Sequence, residues 1–255
     1  MRFTSLGSGS SGNALVVEVK QTRIMLDCGF GLRETIKRLA CAGLEPNDIS
    51  GILVTHEHSD HLGGVVKFAR RFSLPVWLTH GTLSMAQAQC EVFPAVHIID
   101  SHCCFSIGDI EIQPFPVPHD AREPVQYVFS DGDRRLGVLT DTGCSTTHIE
   151  SCLSGCHALV LECNHDLGLL KKSGYPPGLI QRIASRFGHL DNDAAACLLA
   201  QLDRSRLQHV IAAHLSAQNN TSLLAQIALG DVLGCLPDWV GIADQEQGFA
   251  WRQIV

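Results

Sequence analysis

Six consecutive residues, His56-Glu57-His58-Ser59-Asp60-His61, bring three imidazoles and a carboxylate close enough to meet around a metal ion. Two histidines one residue apart in an extended turn can aim their rings to the same side. An aspartate and a histidine at the start of a following helix face back toward them. Imidazole mixed with carboxylate suits borderline divalent ions such as zinc, manganese, iron or cobalt, and not calcium, which takes oxygen ligands. Singly, each residue has an ordinary reading: Asp60 as a helix cap, His56 or His58 as a satisfied polar side chain. Together, at a strand-to-helix junction, they read as a metal site.

Three more ligand types stand directly beyond apolar, β-branched runs: His119 after Ile110–Val117, Asp141 after Leu136–Thr140, and His214 after His209–Ala213. Loops at strand ends are where sites are built, so a chain that gathers ligands at one strand end is expected to draw others from its neighbours. His165 and His189 lie in polar clusters and are not claimed as ligands. They are the candidates to give a proton to a leaving oxygen, or else to sit near the starts of the helices that follow. His80, His97, His102, His148, His157 and His209 read as ordinary surface or core residues, and Trp77, Trp239 and Trp251 as core.

The elements that must position these groups alternate. Short strands are expected at Arg2–Leu6, Leu15–Val19, Arg23–Leu26, Gly51–Val54, Pro75–Leu78, Val96–Ile99, Asp109–Val117, Val125–Ser130, Arg135–Leu139, Ala158–Leu161 and His209–Ala213, with Asp131-Gly132 as a hairpin turn. Helical spacing marks Leu32–Ala42, stopped by Gly43, then about His61–Phe72, Pro177–Ser185, Asp193–Leu202 and Ser222–Leu229. Interleaved strands and helices predict a layered α/β protein. No linker or repeat interrupts residues 1–255, which read as a single domain. Gly7-Ser8-Gly9-Ser10-Ser11-Gly12 fits a dinucleotide fingerprint in spelling, but that fingerprint opens a helix, whereas Asn13–Val19 alternates like a strand. A tight turn lying close to a site is the better reading.

With 255 residues, 45% of them apolar, the chain can bury a full core without disulfides. Eleven cysteines without a C-x-x-C pair fit free thiols in a reducing compartment, and no apolar run suggests a signal peptide or membrane span, so a cytoplasmic protein is expected. A net charge of −7 argues against an overall basic coat and leaves a local positive site open. Arg134-Arg135, Lys171-Lys172 and the pair Arg182 and Arg186, four apart on one helix face, offer at most a short phosphate-tracking surface and otherwise a solvated one.

His56-x-His58-x-Asp60-His61 followed by His119, Asp141 and His214 resembles the metallo-β-lactamase-fold hydrolases over almost the whole chain. The opening Leu6-Gly7-Ser8-Gly9-Ser10-Ser11-Gly12-Asn13, with Glu162-Cys163-Asn164-His165-Asp166, Gly188-His189-Leu190-Asp191-Asn192 and His214-Leu215-Ser216, resembles more narrowly their YycJ/WalJ-like bacterial branch, described as phosphodiesterase or exonuclease-like. The resemblance implies a four-layer αββα sandwich and two divalent metal ions (Zn, Mn or Fe). One would be held by His56, His58 and His119, the other by Asp60, His61 and His214, with Asp141 bridging and Asp27 fixing a ligand imidazole. Asp191 stands where that branch has serine, which implies an added negative charge near the substrate mouth.

Two such ions less Asp60, Asp141 and a hydroxide leave about one positive charge, which prefers an anionic substrate. Paired ions lower the pKa of water and hold both oxygens of an in-line displacement. The expected activity is therefore phosphodiester hydrolysis, with DNA ends as the first candidate partner, Asp60 at the metal centre and His165 or His189 as the acid. Two alternatives stand beside it: acyl hydrolysis of a thioester or lactone by the same centre, and a metal-binding regulatory protein without turnover.

Overall fold

The computed structural model describes residues 1–88 and 92–255. One sheet contains β1 (Arg2–Gly7), β2 (Ala14–Val19), β3 (Thr22–Leu26), β4 (Gly51–Leu53), β5 (Val76–Thr79) and β6 (Val96–Ile99); a second contains β7 (Phe105–Ile107), β8 (Ile110–Pro116), β9 (Val125–Ser130), β10 (Arg135–Leu139), β11 (Ala158–Glu162), β12 (His209–Ala213) and β13 (Gly241–Ile242). The last strand, β14 (Phe249–Gln253), returns to the first sheet beside β1, giving the orders β14-β1-β2-β3-β4-β5-β6 and β13-β12-β11-β10-β9-β8-β7. The helices are α1 (Leu32–Cys41), α2 (Ser59–Leu62), α3 (Val65–Phe72), α4 (His80–Ala88), α5 (Thr147–Leu153), α6 (Leu167–Lys172), α7 (Pro177–Ile183), α8 (Asn192–Gln201) and α9 (Ser222–Leu233). None of the described helices is long and apolar enough to cross a membrane.

Strand alternation explains the layering. On β2, Leu15, Val17 and Val19 face the core between the sheets, where they meet Tyr127, Phe129 and Val138 of the second sheet. Ala14 and Val16 face the other way, into a core shared with Leu39 of α1 and Phe68 of α3. On β11, Ala158 and Val160 point inward, while Leu159 and Leu161 pack on Leu198 of α8 and Leu229 of α9. Strands buried on both faces must be apolar throughout, which is how these runs read. Helices therefore cover the outer face of each of two stacked sheets, the αββα sandwich that was expected.

Register sets the site. β3, β4, β5 and β6 run parallel, as do β10, β11, β12 and β13. Parallel neighbours bring their C-terminal ends to one edge, so residues just beyond β3, β4, β10, β11 and β12 open onto a common rim. β8 joins them because it is antiparallel to β9, which is antiparallel to β10. The two rims are tied together by Tyr127 Oη, which donates to Val54 O at 2.7 Å, and by Val125 N, which donates to Thr55 O at 3.1 Å.

Several elements differ from expectation. The helix expected over His61–Phe72 is two helices, broken at Gly63-Gly64. Gly64 N donates to Cys28 O at 2.7 Å, and a Cβ there would lie 1.9 Å from Phe30 O, so a neighbouring backbone breaks the helix. α4, α5, β7 and β13 were not expected, whereas α6 is the helix that follows His165. Trp239, expected in the core, is 45% exposed.

Candidate metal centre

At the end of β4 the chain passes through Thr55 to His56 and His58, and the latter starts α2 with Asp60 and His61 in its single turn. Asp27, just beyond β3 and buried, organises this segment: its carboxylate accepts from Thr55 N at 2.8 Å and Thr55 Oγ1 at 2.9 Å, and holds His61 Nδ1 at 2.8 Å. Because Thr55 Oγ1 gives its proton to Asp27, it accepts from His56 Nδ1 at 2.9 Å. The bare Nε2 of His56 is then left as a lone pair, buried and without a hydrogen-bond partner. Burial, reinforced by the neighbouring His61, holds the His56 imidazole well below its ordinary pKa, so it stays neutral.

His119 arrives from the end of β8. Its Nδ1 donates to Gly188 O at 3.0 Å, which leaves Nε2 unprotonated and 3.3 Å from His58 Nδ1. The rings of His56, His58 and His119 lie 4.6–5.0 Å apart, three imidazoles turned toward one point. Beside them Asp60, His61, Asp141 and His214 form a second group. His61 Nε2 lies 3.1 Å from Asp141 Oδ2, and His214 Nε2 lies 3.4 Å from Asp60 Oδ2 and 3.5 Å from Asp141 Oδ1. Asp141 also reaches the first group, with Oδ1 4.0 Å from His119 Nε2. Burial alone would suppress charge on His61 and His214, but the carboxylates around them win: His61 is raised well above its ordinary value and His214 to about 10.

Packing like groups this tightly is unfavourable unless something shares their lone pairs, and a buried orphan such as His56 Nε2 is rare in a folded protein. The donor set, three imidazoles on one side and two imidazoles with two carboxylates on the other, fits two borderline divalent cations. Backbone geometry points the same way. Asp27, Asp141 and His214 all take positive φ (59°, 52° and 55°), a region uncommon for non-glycine residues that concentrates at functional sites. The turn beyond each strand directs its side chain to the rim. The glycine-rich loop helps, since Ser8 Oγ accepts from His214 N at 3.0 Å and Asn13 Nδ2 approaches His61 Nε2 at 3.1 Å. It precedes a strand, as its alternation indicated.

The two proton-donor candidates part company. His189 is partly open to solvent, stacks on His214 with centroids 5.3 Å apart, and has Nδ1 bonded to Glu162 Oε1 at 2.8 Å. Glu162, fully buried at the end of β11, is fixed by Thr142 N and Leu190 N, and lies 3.5 Å from His214 Nδ1. Burial opposes its ionisation, yet His189 draws it down to about 2, and Glu162 in turn raises His189. The structure does not bring His165 to the centre. It is 1% exposed, its Nδ1 lies 3.2 Å from Asn164 Oδ1, and it reaches the rim only through Asn164, which donates to His214 O. Its Nε2, like that of His56, is buried without a hydrogen-bond partner, so the ring sits beneath the rim and not on it. Asp191 caps α8, accepting from Ala194 N at 2.8 Å. Serine and aspartate do that job equally well, so its charge is spent on the helix terminus.

Glu162 was given no role from the sequence, although a carboxylate directly beyond an apolar strand is the signal that marked Asp141. Asp27 gives a test of the imidazole-fixing shell. Asp27→Asn should lower metal affinity about 10–100-fold with the fold retained; titration of the chelated protein with Zn²⁺ measures it, and unchanged affinity removes Asp27 from the centre.

Comparison with known proteins agrees with this geometry. The beta-lactamase superfamily domain matches residues 22–214. The chain is 37% identical over 239 residues to the exodeoxyribonuclease YycJ of Bacillus anthracis, covering 91% of this chain and 89% of that one. It is 31% identical over 246 residues to the exodeoxyribonuclease WalJ of Streptococcus pneumoniae, covering 94% and 91%. The crystal structure of the metallo-β-lactamase fold protein YhfI from Bacillus subtilis superposes with a TM-score of 0.76 at 14% identity over 99% of each chain, and so shares the fold. With two rims of His and Asp meeting between stacked sheets, this chain belongs to the beta-lactamase superfamily, in its metallo-β-lactamase-fold form.

Proposed function

We propose that the chain is a dinuclear metal-dependent hydrolase of phosphodiester bonds, an exonuclease acting on DNA ends. The observation that carries this reading is the position of Asp141, whose two oxygens reach toward His61 and His119 and so serve both ligand groups. His56, His58 and His119 would hold one ion and Asp60, His61 and His214 the other, with Zn, Mn or Fe suited to that set. Bound there, such ions make water nucleophilic near neutral pH and offset charge on the attacking and leaving oxygens. The relatives named exodeoxyribonucleases support DNA as the substrate.

The protein's own groups supply the rest. Glu162 anchors His189 through Nδ1 and, against the effect of burial, raises its pKa, which favours a proton on Nε2 for the leaving oxygen as its bond to phosphorus breaks. Burial of Asp27 and Glu162 keeps their oxygens on the imidazoles. We read residues 1–255 as one domain, because the last strand pairs with the first. We place it in the cytoplasm, since the ten described cysteines are all free thiols.

The test is a panel of end-labelled single- and double-stranded DNA and RNA oligonucleotides, an aryl phosphodiester, thioesters and lactones, run with Mn²⁺ or Zn²⁺. Shortening of DNA from an end and turnover of the aryl phosphodiester are expected. Turnover confined to thioesters or lactones would replace this reading with acyl hydrolysis.

A further inference from the structure

Residues 167–188 carry Lys171, Lys172, Arg182 and Arg186 and no Asp or Glu. The whole chain has net charge −7 and this segment contributes +4, so the remainder carries −11. The segment is also sparsely buried: α7 has no buried residue, and Phe187 is 50% exposed with the Arg186 guanidinium 5.4 Å over its ring. A basic, uncovered arm on an acidic protein draws in anions.

The arm is held against the centre at several points, among them the bond from His119 Nδ1 to Gly188 O. Arg182 Nε donates to Asp120 Oδ2 at 2.6 Å, and Asp120 directly follows His119. Arg186 and Phe187 pack on Gly143, two residues past Asp141, so closely that a Cβ there would meet Arg186 C at 2.3 Å. Between arm and rim lies an open cavity of about 230 Å³, walled by Ser10, Tyr175, Leu179, Arg182, Ile183 and His189. A volume of that size takes one base with its sugar and not a base pair within a duplex. His189 in its wall sets the cavity beside the ligand groups, since its ring stacks on His214 with centroids 5.3 Å apart.

We propose that this cavity is the subsite for the terminal nucleotide of a single-stranded nucleic-acid end, a proposal that rests on the phosphodiesterase reading above. Tyr175 stacks on the base, as aromatic side chains do on any base in sequence-tolerant single-strand binding. Arg182 exchanges Asp120 for the adjoining phosphate, whose oxygens match the guanidinium fork as a carboxylate does. Lys171, Lys172 and Arg186 follow the strand beyond.

Anisotropy of labelled single-stranded decamers, one DNA and one RNA, is measured in EDTA so that nothing is cleaved. Arg182→Gln and Tyr175→Ala should each weaken binding by at least about fivefold. Arg182→Gln should also flatten the slope of log affinity against log salt by about 0.7, the value of one phosphate contact on a single strand. Arg182→Lys should recover part of the affinity, and Arg70→Gln, which removes an exposed charge from α3, should bind as the wild type does. Wild-type affinity and slope in Arg182→Gln, or an equal loss in Arg70→Gln, overturns the subsite; the better-bound decamer says which strand it takes. Turnover of an aryl phosphodiester by the metal-loaded wild type separates the two claims. Binding losses without turnover keep the subsite and sink the chemistry, and turnover without binding losses does the reverse.

Discussion

Asp141→Asn should purify folded, with well under half of the wild-type metal content, and its phosphodiester turnover should fall by more than about 100-fold, beyond what loss of an outer hydrogen-bond partner costs. The expectation follows from reach. Asp141 is the residue whose carboxylate lies within 4.0 Å of imidazoles in both ligand groups, at His61, His119 and His214. Removing its charge weakens both cation positions at once. Asparagine keeps the size and tolerates the positive φ of 52° found there, so the variant isolates charge from backbone strain. Asp141→Ala should lose as much metal and more stability, because alanine is less at ease in that backbone region. Elemental analysis of the folded variants decides the matter: full metal content in Asp141→Asn refutes the shared role.

The side chains that gather at the centre were legible because the local cluster is compact in sequence and the other members follow apolar strands. His56 to His61 needs no tertiary knowledge, and His119, Asp141 and His214 needed only the rule that sites gather at strand ends. What was not legible depends on contacts between distant segments. Glu162 meets His189 across 27 residues, and nothing local to either says that they pair. His165 and His189 look alike in sequence, both in polar clusters; only the packing of β11 against the loop before α8 buries one and exposes the other. The apolar spacing from His61 to Phe72 runs through Gly63-Gly64 without a break, because the carbonyl of Phe30 that splits the helix comes from another loop. The edge strands β7 and β13 are short or partly exposed, so alternation has little to mark there.

His189→Ala should keep its metals and lose turnover by roughly 10² to 10⁴-fold on substrates with an alkoxide leaving group, the range expected for removing a general acid. The two findings are linked by position, since His189 stacks on His214 yet gives its Nδ1 to Glu162 and faces the open cavity. A purely structural role would slow all substrates alike. A proton donor predicts something more selective: an aryl phosphodiester, whose leaving phenolate needs no proton, should be slowed far less than an oligonucleotide. Glu162→Gln separates the partners further. Glutamine can still hold His189 Nδ1, but without its charge the His189 pKa falls, so the alkaline limb of the oligonucleotide rate profile should move to lower pH. That limb marks loss of the acid's proton; in the wild type it should lie above the ordinary histidine value, because Glu162 outweighs burial in favouring the charged ring. Equal losses on both substrates, or an unmoved limb in Glu162→Gln, would take the proton transfer away from this pair.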